Sequence, residues 1–181
     1  MSLSIPVLET ERLILRAPCE DDFEAEAVFY ASDASRFVGG PKKPHETWRS
    51  LAMMIGHWAM RGYGFWALEE KSTGDYLGRV GLWYPHGWYE REIGWSLMQG
   101  ATGKGYATEA GQRARQHAYE ILGWTTAISQ IDPANEPSKA VARRLGATYE
   151  TIYNDPEYGD IEIWRHPGPD TIGDGGMEAY A

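Results

Sequence analysis

The spacing of apolar and polar residues changes period several times along the chain, and each change marks an element. "ETERLILRAP" (9–18) predicts a short strand closed by proline. "CEDDFEAEAVFYAS" (19–32) places acids ahead of a helical mix and predicts a helix, whereas "FVGGPKKP" (37–44) reads as a loop. From Trp48, the recurrence of Leu51, Ala52, Ile55, Trp58 and Ala59 has helical spacing and ends at "RGYG" (61–64). "GFWALEE" (64–70) and "YLGRVGLWY" (76–84) flank the turn "KSTGD" (71–75), which predicts a hairpin. "PHG" (85–87) is another turn, and "WYEREIGWSLM" (88–98) is a third strand candidate. After "QGATGKGYATEA" (99–110), a helix from about Tyr106 shows Ala107, Ala110, Ala114, Ala118 and Ile121 on its apolar side, with Gly123 as its stop. "WTTAISQI" (124–131) is β-branched, "NEPSKAVARRLG" (135–146) has a cap and a terminal glycine, and "TYETIYN" (148–154) and "DIEIWRHP" (160–167) read as final strands.

The order is strand, two helices, three strands, helix, strand, helix, two strands. Consecutive meander strands run antiparallel, while a strand–helix–strand crossover gives a parallel pair. An α/β fold follows, with a mixed, mostly antiparallel sheet of about seven strands and helices on both faces. The 181 residues favour one domain over 1–167, and "GPDTIGDGGMEAYA" (168–181) reads as a loose tail.

Composition narrows the setting. A formal charge of −9 argues against nucleic acid, which binds a basic face. No apolar run approaches a membrane span, and the opening residues do not read as a secretory signal. The single cysteine, Cys19, excludes an internal disulfide and fits a reducing compartment, so a cytoplasmic protein is expected. The five histidines show no metal-ligand spacing, and no metal is expected.

Gly100, Gly103 and Gly105 stand where a helix begins. A helix start carries unpaired N–H groups, and bare backbone ahead of it lets an anion approach them. The spacing fits neither a P-loop, since Gly105 follows Lys104, nor a dinucleotide fingerprint. By itself such a stretch leaves structural turn and anion site equally open. Its neighbours extend the pattern: "LETERLILRAP", "EIGWSL", "GKGYATEA" and "NEPSKAVARRLGA" stand in the order found in the GNAT superfamily of N-acetyltransferases, and the chain resembles the branch containing the ribosomal-protein N-terminal acetyltransferases from about Leu8 to His166.

The resemblance implies acetyl-CoA as cosubstrate. Backbone N–H groups near Gly103, Gly105, Tyr106, Ala107 and Thr108 would hold its diphosphate, with charge from Lys104. Gly100 stands where the family carries Arg or Gln, so one side-chain contact is absent. Pantetheine would lie between splayed fourth and fifth strands, against the backbone around Trp95 and Leu97, with the Leu97 N–H polarising the thioester carbonyl. Alternation puts Ile93, Trp95 and Leu97 on one face of that strand and Glu92, Gly94 and Ser96 on the other.

Glu92 stands where many members carry a base; the competing reading is an exposed carboxylate or a partner of Arg91. Glu90 and His86 are substitutes for it. The usual tyrosine acid is replaced by Ala142, which leaves Ser138 to bond the sulfur or merely to complete the helix cap. Asn135 carries the same pair of readings, pantetheine contact or N-cap. Trp83, Tyr84 and Trp88, with Tyr89, either wall an acceptor pocket or fill the sheet. Arg143 and Arg144 read as a solvated face, and Cys19 has no motif beside it that would make it a nucleophile.

The reading is direct acetyl transfer to a primary amine, a protein N-terminus or a small molecule, with a homodimer as a family-level expectation. Two alternatives stand beside it: a non-catalytic acyl-CoA sensor, and an enzyme using the loop for another nucleotide.

Overall fold

Alternation along three central strands divides the molecule into two layers around a sheet. The structure, a computed structural model, describes residues 3–172. Its strands are β1 (Leu8–Glu9), β2 (Leu13–Arg16), β3 (Phe65–Glu70), β4 (Tyr76–Trp83), β5 (Glu92–Leu97), β6 (Ile128–Ile131), β7 (Thr148–Asp155) and β8 (Gly159–Arg165). Its helices are α1 (Phe23–Tyr30), α2 (Pro44–Arg61), α3 (Tyr106–Glu120), α4 (Glu136–Arg144) and α5 (Pro169–Ile172). The sheet order is β1-β2-β3-β4-β5-β6-β8-β7, and only β5–β6 is parallel.

One face carries Trp66, Leu68, Val80, Leu82 and Ile93, all buried, and packs against Ala110, Ala114 and Ala118 of α3. Small side chains bring the helix axis close to the sheet, where Gly111 leaves room for Leu145 at 3.0 Å from an added Cβ. The other face carries Phe65 and Trp83 under α2, through Leu51 and Met54, while α1 adds Phe29 and Tyr30. A polar cluster sits beneath α1: Glu26 accepts from Tyr76 Oη at 2.5 Å and pairs with Arg79 at 3.4 Å, and Arg79 also bonds Tyr30 Oη. On the far side, α4 lays Ala142 against Ile131 and Trp164.

Several boundaries differ from the sequence reading. The opening strand is two strands, which makes eight. The Thr10 N–H donates to Leu13 O and its hydroxyl oxygen accepts from the Leu13 N–H, both at 3.0 Å, so the chain turns there. Helix α2 starts four residues before Trp48, where the Lys43 N–H donates to Glu46 Oε2 at 2.8 Å. Its buried stripe is Thr47, Leu51, Met54 and Trp58, whereas Ala52 and Ala59 face solvent. Ile121 lies beyond the last turn of α3 and is exposed. The segment 124–127 stays outside β6 because the Trp124 N–H still caps the preceding helix, donating to Ala118 O at 2.9 Å. Of the expected tail, 169–172 form the short α5, and 173–181 lie outside the described residues.

Candidate active site

Helix α3 begins without a side-chain cap. Gly103 and Gly105 have φ of +78° and +85°, a conformation that L side chains rarely adopt, and Gly105 is the N-cap. The first intrahelical bond runs from Glu109 N–H to Gly105 O at 3.1 Å. The N–H groups of Gly105, Tyr106, Ala107 and Thr108 therefore have no acceptor within the helix. Lys104 is exposed, its Nζ 6.0 Å from the Tyr106 ring centre.

The turn between β1 and β2 braces this loop. Arg12 Nη1 donates to Lys104 O at 2.9 Å. Because a trans peptide points its C=O and N–H in opposite directions, that bond turns the Gly105 N–H outward. Arg12 also donates to Glu109 through its backbone N–H at 2.9 Å and its Nε at 2.7 Å, and Thr10 Oγ1 donates at 2.5 Å. Its guanidinium lies 4.6 Å from the Tyr106 ring centre. Burial alone would raise the Glu109 carboxyl, but these bonds hold it below its ordinary value. A carboxylate one turn from an anion-attracting helix start is thus neutralised by a neighbour.

Ahead of this helix start the sheet opens. Strands β5 and β6 share one bridged pair, Glu92 with Ile128, and then diverge. Arg91 O accepts from the Ile128 N–H at 3.0 Å and Ile93 O from Ser129 Oγ at 2.6 Å, so alternate residues Ile93, Trp95 and Leu97 turn their main-chain groups toward β6. Past the divergence, the Trp95 and Leu97 N–H and C=O groups face the gap. The far wall begins with α4. Asn135 Oδ1 caps it, accepting from the Ser138 N–H at 3.2 Å. Ser138 Oγ accepts from Trp95 Nε1 at 3.0 Å across the gap. Asn135 is thus the N-cap, and Ser138 lies in the capped turn with its hydroxyl oxygen bonded to Trp95.

Glu92 is neither exposed nor paired with Arg91, whose guanidinium lies over Trp124. It is 8% exposed. Trp88 Nε1 donates to its Oε2 at 2.7 Å, and Gln130 donates twice at 3.3 Å, from its N–H to Oε1 and from its Nε2 to Oε2. Burial, the largest influence, pushes the carboxyl up to about 7 against the pull of these donors. Of the substitutes, Glu90 is held by Arg165, with one bond at 2.9 Å, and His86 is exposed in its turn.

The aromatic residues divide by role. Trp83 is core, stacked on His57 at 4.2 Å. Tyr84 is half-buried at the rim, its N–H donating to His57 Nε2 at 3.2 Å. Trp88 reaches the Glu92 carboxylate, with the Tyr158 ring 6.4 Å away behind it. Exposed Tyr89 packs on Tyr153 instead. Gly94 admits a side chain of the protein, since an added Cβ would lie 2.9 Å from Phe65 Cζ. The residues missed by the sequence reading are Gln130 and Ser129; two polar residues inside a β-branched run were their only signal.

The opened parallel pair thus has a buried carboxyl at its closed end and a bare helix start beyond its mouth. That arrangement suits a group-transfer enzyme whose donor is long, amide-bearing and anionic. Residues 12–148 match the model of the acetyltransferase (GNAT) domain, and the chain belongs to that family. It is similar to the crystal structure of an acetyltransferase from Agrobacterium tumefaciens str. C58, with 35% identity and a TM-score of 0.84 over 92% of this chain and 97% of that one. It is 24% identical to the Bacillus subtilis (strain 168) uncharacterized N-acetyltransferase YoaA, over 81% of this chain and 85% of that protein. RimL, a ribosomal L7/L12 α-N-protein acetyltransferase solved in complex with coenzyme A, shares the fold at a TM-score of 0.74 and 19% identity, covering 89% of this chain and 97% of that one. No helix among the described residues is long and apolar enough to cross a membrane.

Proposed function

We propose that the protein is an acetyl-CoA-dependent N-acetyltransferase, acting in a single domain that reaches to about residue 167, and that its acceptor is an α-amine such as a peptide N-terminus. The observation that carries this reading is the opening of β5 from β6 after one bridged pair, with Glu92 at its closed end and the α3 N–H groups at its mouth.

The N–H groups of Gly105 to Thr108 would hold the donor's diphosphate. Main-chain groups of Trp95 and Leu97 would bond the pantetheine amides as an added strand does, leaving the Leu97 N–H for the thioester carbonyl. Glu92 takes one proton from the ammonium form of the acceptor through water. The freed amine attacks the carbonyl carbon, the C–N bond forms, and the C–S bond breaks. The attacking nitrogen gives up its second proton, which passes to the departing thiolate through the hydroxyl of Ser138, whose oxygen already accepts from Trp95, leaving a neutral amide and the free thiol.

Proton affinity supports the α-amine. A base near 7 lies about one unit below an α-ammonium, a deficit of about 1.4 kcal/mol, and more than three units below an alkyl ammonium, a deficit of about 5 kcal/mol. RimL, a neighbour in fold, is named for acting on a protein α-N position.

Coenzyme A release from acetyl-CoA tests this with a panel of peptides and small amines. Turnover with α-amines, at least tenfold above ε-amines of equal size, is expected. Coenzyme A binding without turnover on any acceptor would replace the enzyme reading with the sensor one. Preference for ε-amines would overturn the acceptor class.

A further inference from the structure

Behind the cleft lies a buried polar chain that acetyl transfer does not use. His166, just past β8, is 2% exposed, and its Nε2 lies 2.9 Å from Ser129 Oγ. Ser129 spends its only hydroxyl hydrogen on Ile93 O at 2.6 Å, so it accepts from His166. That places the imidazole proton on Nε2 and leaves Nδ1 to accept from Arg115 Nη1 at 3.4 Å; the same Arg115 nitrogen bonds Leu145 O. Burial, then Arg115 and Arg165, push His166 down to about 3, so the ring stays neutral.

The chain alters one rung of the ladder. In a regular parallel pair, the rung after Ile128 runs from the Gln130 N–H to Ile93 O. Here Ile93 O accepts from the Ser129 hydroxyl instead. The Gln130 N–H is displaced onto Glu92 Oε1, and its side chain follows onto Oε2. At the rung where β6 leaves β5, Gln130 thus supplies two donors to the Glu92 carboxylate.

We infer that Ser129, held by His166, is a positioning residue that keeps β5 and β6 apart and aims Glu92 through Gln130. The inference deepens the proposed function and rests on its reading of Glu92 as the base. Besides Trp88 and Gln130, the titratable or charged groups around Glu92 are Glu90 with Arg165, Arg91 over Trp124, the Tyr158 phenol behind Trp88, and His57 under Trp83. Each is held by partners of its own, Tyr158 through Glu157.

The test is the pH profile of kcat/KM in Ser129→Ala and Ser129→Thr. Alanine frees Ile93 O to recapture the Gln130 N–H, and Glu92 loses a donor to its charged form. The acid limb is expected to move to higher pH by about half a unit to one unit, with KM for acetyl-CoA rising severalfold as the cleft narrows. Threonine keeps the hydroxyl and is expected to restore both. Should alanine fail to fold, Ser129→Cys, a near-isostere with a weak donor, is expected to give an intermediate shift. An unmoved acid limb and unchanged KM in alanine, or in cysteine where alanine is unavailable, overturn the inference. The base reading fails separately: Glu92→Gln with a wild-type profile removes it, whereas loss of the acid limb there alongside a wild-type Ser129→Ala removes only the role of Ser129.

Discussion

Replacing Glu92 with glutamine is expected to lower kcat/KM for the amine by about 10²–10⁴-fold and to abolish the acid limb of its pH profile near 7. The amide can still accept from Trp88 Nε1, so the change removes a proton acceptor while leaving the volume nearly intact. Stability should move the other way. The folded-state pKa of this carboxyl lies above its unfolded value, so its contribution to stability is fully present below about 4.5 and is lost as pH rises through about 7. Above pH 8 the ionised, buried group costs about 3 kcal/mol that glutamine does not. Melting curves of the two proteins should coincide near pH 4 and separate at pH 8, with Glu92→Gln the more stable. A variant that is both active and no more stable at pH 8 would mean that the carboxyl is neither buried in solution nor a base. A destabilising charge at a site of chemistry is the usual signature of stability traded for activity.

Replacing Arg12 with alanine is expected to weaken coenzyme A binding by about tenfold or more. Two consequences add. Lys104 O loses its donor, and Glu109 loses its guanidinium partner one turn from the proposed diphosphate site. The second part is electrostatic and reversible: Arg12→Ala with Glu109→Gln should recover most of the affinity measured by titration calorimetry. Equal affinities for the wild type and the single variant would show that the β1–β2 turn braces the helix without tuning the anion site.

Much of this site was legible in residue order. Glycines ahead of an alanine-rich helix mark a bare N-terminus because few other features place so much unblocked backbone there. Alternation in "EIGWSL" identified which residues of β5 share a face with Glu92. What could not be read was the environment of each group. Whether Glu92 meets Arg91 or Trp88 depends on the 84–91 turn, and whether Glu90 is available depends on Arg165, some 75 positions away. The roles of Ser129 and Gln130 depend on a rung that is missing from a ladder, and one sequence shows no pairing. The split opening strand has the same cause, since Glu109 draws Thr10 and Arg12 into a turn from 97 to 99 positions away. In α2 the buried stripe passes through Met54 rather than Ala52 because the sheet beneath presents Trp83 and Phe65, a choice that periodicity leaves open.

The most direct measurement is an amide-resolved titration of the protein with coenzyme A, following the N–H resonances of β5 and the start of α3. Saturable shifts at Gly105, Tyr106, Ala107 and Thr108, together with Trp95 and Leu97, are expected, because those N–H groups stand at the helix start and along the edge of β5 that faces the gap. A folded protein whose resonances at these six positions stay unmoved at millimolar coenzyme A would contradict the assignment of the cleft.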